Sequence, residues 1–191
     1  MNVLDSMQEN EKEYPWYKII EGDSLYQGDF LHDFEVLIPA KVSTQSDQVP
    51  AQCEKLDVVI MTQTCDIVQG KVKSLLLCPC WDLWEFITEA KKGFNWGEDQ
   101  REALRRGNLP GYYLSNEADQ GGLKMGLTIV DFHEVYTAPT NVVREFALRT
   151  GKRLRLLPPY REHLAQAFAR FFMRVGLPVD IAAEKLKTRP T

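Results

Sequence analysis

Residues 57–62 read Asp-Val-Val-Ile-Met-Thr, and residues 73–78 read Lys-Ser-Leu-Leu-Leu-Cys. The first run is rich in β-branched side chains and too short for a helix, so it predicts a strand buried in the middle of a sheet. The second is another apolar strand. Only Gln63 to Gly70 and two further residues separate them, a link short enough for antiparallel pairing.

Upstream, residues 1–13 are acidic, polar and expected to be loose. The texture changes near Gly22. Leu25, Phe30, Phe34, Val36 and Ile38 alternate with polar residues, which predicts a strand over 23–38, bent at Gly28-Asp29 by a turn or bulge. Residues 42–54 (VSTQSDQVPAQCE) have the composition of a surface loop.

Downstream, Leu83, Phe86, Ile87 and Ala90 recur at helical spacing behind Asp82, a candidate N-cap, and Gly93 ends that helix. A second short helix spans Glu98 to Arg106 and stops at Gly107. Strands return at 112–114, then a turn at Gly121-Gly122, then a long strand from Leu127 to Thr137. In that strand Leu127, Ile129, Asp131, His133 and Val135 share a face by period-2 alternation. Leu154, Leu156 and Leu157 form a last short strand. A helix from Tyr160 to Val175 follows two prolines and stops at Gly176, with Leu164, Ala167, Phe168, Phe171 and Val175 as its apolar stripe.

These elements predict an α+β fold: a small, mostly antiparallel SH3-like barrel or curled sheet, with a helical insertion at about 82–106 and a packed C-terminal helix. The expected organisation is an acidic segment over 1–20, a β-rich domain over 21–157, and a helix and tail over 158–191 packed on the same domain.

The 191 residues are 44% hydrophobic and 26% charged, with 9 Phe, 7 Tyr and 4 Trp, a composition suited to one packed domain. The first fifteen residues hold no apolar h-region, and no segment approaches the roughly 18 consecutive apolar residues of a membrane span. A cytoplasmic protein is expected, with Cys53, Cys65, Cys78 and Cys80 as reduced thiols and no cofactor. Net charge is −4, but unevenly distributed. Residues 1–142 carry 12 basic against 23 acidic side chains, whereas 143–191 carry 11 against 4. The C-terminal part is therefore suited to an acidic protein surface or nucleic acid.

Four groups of residues carry candidate chemistry. Cys65 in Thr62-Gln-Thr-Cys-Asp66 stands where a strand meets a loop, a place for a nucleophile, and His133 is its candidate base. Against that role, the sequence places no cation beside it to favour a thiolate, only the carboxylate of Asp66, and a buried cysteine is otherwise a small hydrophobe. Gln63, Cys65 and Asp66 also suit a polar binding role. Cys78-Pro-Cys80 with Cys53, Cys65 and His133 supplies donors for zinc, but the Cys-x-Cys spacing does not match structural sites, so no metal is expected. Asp131 and His133, next to Glu134, pair as base and orienter if they share a strand face. Finally, Arg149, Lys152, Arg153, Arg155, Arg161, Arg170 and Arg174 are placed to track phosphates, with Tyr160 beside them for stacking. Arg161, His163, Arg170 and Arg174 form the basic ridge of the last helix.

The Thr62–Asp66 segment and the Pro159-Tyr-Arg-Glu-His-Leu164 helix resemble those of uncharacterised bacterial proteins with a T-Q-x-C-D segment and a P-Y-R-E-x-L helix. That resemblance implies no activity. Gln27-Gly28-Asp29 followed by the 57–62 strand looks like the opening of PemK/MazF-type small barrels. This likeness implies a toxin-like endoribonuclease, although Gln63-Thr64-Cys65 stands where such enzymes carry an arginine. The function expected from the residues is a non-enzymatic interaction module, an accessory component of a bacterial system. The alternative is a PemK-like endoribonuclease or a Cys-dependent hydrolase using Cys65 and His133.

Overall fold

The computed structural model describes residues 14–39, 51–89 and 96–173. Within them the chain forms ten strands and five helices, an α+β arrangement with antiparallel sheets. The two decisive runs lie side by side. β3 (Ala51–Ile60) pairs antiparallel with β4 (Ser74–Asp82), with Val59 opposite Cys78, and α1 (Thr64–Val68) occupies the link. Both faces are covered at the end of β3 and in the second half of β4, which is why the first run does not alternate, whereas Leu76 in the second is 39% exposed. Val58, Ile60, Leu75 and Leu77 enter one core, while Val59, Met61, Cys78 and Cys80 enter another.

The principal sheet runs β2 (Phe30–Pro39), β3, β4, β8 (Thr128–Asp131), β5 (Tyr112–Ser115), with β9 (Tyr136–Pro139) pairing the first half of β4. The first core is roofed by α4 (Thr140–Thr150), whose Val143, Phe146 and Ala147 are buried at helical spacing. The second lies between the sheet, the β1–β10 pair (Tyr17–Ile20 with Arg153–Leu156), the β6–β7 hairpin (Ala118–Gln120, Leu123–Met125) and α5 (Tyr160–Phe172). α2 (Leu83–Glu89) and α3 (Glu98–Arg105) cover a third, smaller cluster around Ile129. Asp82 caps α2 as its position predicts, its Oδ1 accepting the Trp84 N–H at 2.8 Å and the Glu85 N–H at 3.2 Å.

Gly28 ties the β1–β10 pair to the principal sheet. Its N–H donates to the Ile60 carbonyl, and its own carbonyl accepts the Leu156 N–H. With φ at +83° and a would-be Cβ 2.9 Å from Leu156 Cβ, the position requires glycine. Next to it Asp29 is fully buried and receives Arg153 Nε at 2.9 Å and Arg155 Nη2 at 2.9 Å, with Arg155 Nε bonded to its other oxygen. The remaining donors of Arg153 meet the Gly22 and Ser24 carbonyls, and Arg155 lies over the Tyr26 ring.

Several expectations need correction. The strand expected over 23–38 begins at Phe30, because Gly22 to Gln27 loops around the two arginines. Residues 51–54, expected in a loop, lengthen β3; residues 42–50 lie outside the described residues. The acidic segment ends earlier than residue 20, since Tyr17–Ile20 is a strand. The long strand over 127–137 breaks at Phe132 into β8 and β9, so the single face carrying Asp131, His133 and Val135 does not exist. Arg153 and Arg155 are not surface cations but are 3% and 4% exposed. The ends placed at Gly93 and Gly176 lie outside the described residues, as does Val175. The hydrogen-bonded ladder does not close into a barrel among the described residues. No helix among them is long and apolar enough to cross a membrane.

Candidate anion-binding groove

α5 is anchored at its first residue. Tyr160 stacks on Trp16 with ring centroids 3.6 Å apart and planes 9° from parallel, and its carbonyl accepts the Tyr113 hydroxyl at 3.1 Å. Leu164, one turn on, is fully buried, and Phe168 packs edge-on to Phe132. With that stripe facing the core, Tyr160, His163, Gln166 and Arg170 line a cleft of about 390 Å³. Its opposite wall is β5 and the end of α3, including Arg105 and Arg106. A second cleft of about 200 Å³ shares Gly107, Ala167 and Arg170 with the first and runs on to Tyr112 and Phe171. The two make one groove along the helix.

The groove is cationic on a chain that is acidic overall. Neither cleft is lined by an Asp or Glu. Glu102 lies behind the wall, receiving Arg105 Nε at 2.7 Å and Nη2 at 2.8 Å as well as Arg106 Nε. Arg105 first, then Arg106, holds the Glu102 carboxyl at about 2. This trio therefore keeps one net positive charge at neutral pH, and Arg170 adds another with no carboxylate paired to it among the described residues.

The predicted site residues separate into distinct places. His163 and Arg170 lie in the groove. Arg161 turns away, with its Nη2 2.7 Å from Glu162 Oε1, and Arg174 lies outside the described residues. Gln63 and Cys65 are at α1, on the side of the first core. Cys65 is exposed rather than a buried hydrophobe, because the chain turns into α1 immediately after the strand. Its Sγ lies 3.7 Å from both Gln63 Oε1 and Asp66 Oδ1. Asp66 is 3.9 Å from Lys71.

Asp131 and His133 do meet, though not across a strand face. The loop after β8 folds back so that Asp131 Oδ1 accepts the His133 N–H at 2.9 Å and lies 2.7 Å from its Nδ1. The imidazole sits between Tyr112 and Phe171, at the far end of the groove. No hydrogen bond joins His133 to Cys65, and their neighbours Phe132 and Ile67 are buried in different cores. Cys78 and Cys80 are buried, which pushes the Cys78 thiol up to about 12 and that of Cys80 upward as well. No group of three or more His, Cys, Asp or Glu among the described residues is arranged to hold a metal.

The residues missed from sequence are Trp16, Arg105 and Arg106. The two arginines were legible as cations closing α3, but nothing local reveals that α3 ends opposite α5. Comparison with protein-family models, with curated proteins and with solved structures finds no match to this chain.

Proposed function

We propose that the protein is a non-enzymatic interaction module, acting in the cytoplasm as an accessory component of a larger system, and that it binds single-stranded nucleic acid in the groove along α5. The observation that carries this reading is the conjunction of an aromatic stack, Trp16 on Tyr160, with Arg105, Arg106, His163 and Arg170 in a groove that no carboxylate lines. Bases stack on aromatic rings whatever their sequence, and arginines follow the phosphates. An acidic protein segment would use the cations but leave the stack idle. The support beneath the groove fits a curled sheet of the SH3-like kind, its seam held by side chains, since the Tyr17 hydroxyl on β1 hydrogen-bonds to Ser115 on β5. The enzyme reading with Cys65 and His133 lacks the contact between nucleophile and base that it needs.

Fluorescence anisotropy with a labelled single-stranded oligonucleotide tests the proposal. Two net positive charges, one from the Arg105–Arg106–Glu102 trio and one from Arg170, give a log–log salt slope of about −1.4 on a single strand. Affinity should then fall roughly sevenfold between 50 and 200 mM salt. Absence of binding, or equal binding of a polyglutamate peptide, would overturn the nucleic-acid reading.

A further inference from the structure

A second cavity, of about 190 Å³, opens at the other end of the second core, and its polar lining comes from adjacent strands at matching levels. Phe30, Val59, Cys78 and Val130 are buried in that core. Two residues onward along β2, back along β3 and onward along β4, the same face carries His32, Asp57 and Cys80. Asp82 and Thr128, paired with each other across β4 and β8, form the next row.

A β-bulge aims the histidine. The register passes from Leu31 opposite Val58 to Phe34 opposite Leu56, so that His32 and Asp33 both face Asp57. Asp33 takes a φ of +53°, costly for a residue with a side chain, and its N–H meets Asp57 Oδ1 at 2.9 Å. His32 Nδ1 lies 3.0 Å from Asp57 Oδ2. Bulges of this kind re-aim a side chain next to functional sites.

Two polar atoms at this cavity remain open. The His32 side chain is 38% exposed, and with Nδ1 engaged by Asp57 its Nε2 has no hydrogen-bond partner among the described residues. Asp82 Oδ1 is taken by the first N–H groups of α2, but Oδ2 receives no donor from the described residues. The chain just after β7 closes over it, since a Cβ on Gly126 would lie 2.7 Å from that oxygen. Lys124, also at the cavity, is 3.1 Å from Asp119, and this exposed pair adds no net charge. With His32 neutral, Asp57 and Asp82 leave the site negative, beside the apolar surfaces of Phe30, Trp81 and Met125.

We propose that this cavity binds a small organic ammonium compound. The ammonium group donates to Asp82 Oδ2 and to the neutral His32 Nε2, and the alkyl part lies on the apolar wall. The site shares no residue with the α5 groove and does not rest on the nucleic-acid reading.

The test is a titration of the full chain with n-butylammonium chloride at a pH above the titration of His32 itself, which its Cε1–H shift locates and which lies above the ordinary histidine value of about 6.5. The imidazole Cε1–H resonances are followed by NMR, with sodium acetate as control. We expect a saturable shift at His32, none at His133 or His163, and none with acetate. Asp82→Asn keeps an oxygen for the α2 cap and should weaken binding about tenfold, the loss of one charge-assisted hydrogen bond. His32→Gln, read by saturation transfer to the butyl protons, should weaken it as well. No saturable shift at His32, equal affinity in both variants, or equal binding of acetate would each overturn the proposal.

Discussion

The Asp29 carboxylate receives Arg153 Nε at 2.9 Å with both side chains buried, across 124 positions of sequence. The pair, with Arg155 on the other oxygen, joins the β1–β10 pair to the principal sheet and removes two arginines from the basic surface. Removing one partner of a buried ion pair leaves charge unpaired out of water. Asp29→Ala should cost roughly 3–5 kcal/mol, measured by urea denaturation. Since whole domains are stable by only about 5–15 kcal/mol, much of the variant should be insoluble. Unchanged stability would show that the arginines reach other acceptors.

Gly28 and Gly22 offer a matched comparison, since both have φ of +83°. A Cβ at Gly22 meets nothing within 4 Å, whereas one at Gly28 lies 2.9 Å from Leu156 Cβ. Gly22→Ala should lower stability by about 1 kcal/mol, the backbone cost alone. Gly28→Ala should cost clearly more, read as a larger drop in Tm. Equal drops would contradict the close packing at Gly28.

For α5, Leu164 is the fully buried anchor, while Phe168 and Phe171 are half-buried. Leu164→Ala should cost about 2–5 kcal/mol, and Phe168→Ala less than the 3–5 kcal/mol of a fully buried ring. Arg170→Glu should change stability by under about 0.5 kcal/mol while weakening oligonucleotide binding. A destabilised Arg170→Glu variant would make that arginine structural.

The sequence disclosed elements whose signal is local and hid those whose partner is remote. The β3 and β4 runs, the Asp82 cap and the α5 stripe follow from short-range chemistry and were legible. β1 has four residues, and its pairing with β10 lies far along the chain. Arg153 and Arg155 alternate with leucines like an exposed strand face, and only distant Asp29 explains their burial. α4 was missed although Val143, Phe146 and Ala147 carry helical spacing between Pro139 and Gly151. The His32–Asp57 pair depends on a bulge at Asp33; aspartate tolerates a positive φ better than most residues, but nothing local singles out this one.

That pair predicts a pH dependence. The hydrogen bond to Asp57 raises the His32 pKa against its partial burial, with the charges of Asp57 and Asp33 adding to the rise. At Asp57, burial pushes upward, but the bonds from His32 and Asp33 outweigh it and the net direction is down. The His32 contribution is therefore complete below the ordinary value of about 6.5 and is lost as pH rises through the raised one. The Asp57 contribution is present above the ordinary carboxylate value and lost as pH falls through the lowered one. Urea midpoints of the wild type and His32→Gln should differ more at pH 5.5 than at pH 8.5, by a modest, salt-screened amount. An equal difference at both pH values would contradict the linkage.

The most direct test of the groove is photo-crosslinking of the full chain to a 4-thiouridine-substituted single-stranded oligonucleotide, with the attached peptides identified by mass spectrometry. Crosslinks should fall on Trp16 and Tyr160 and on the peptides carrying His163 and Arg105–Arg106, and should disappear in the Arg106→Glu, Arg170→Glu double variant. Crosslinks confined to other surfaces, or undiminished in the double variant, would contradict the account.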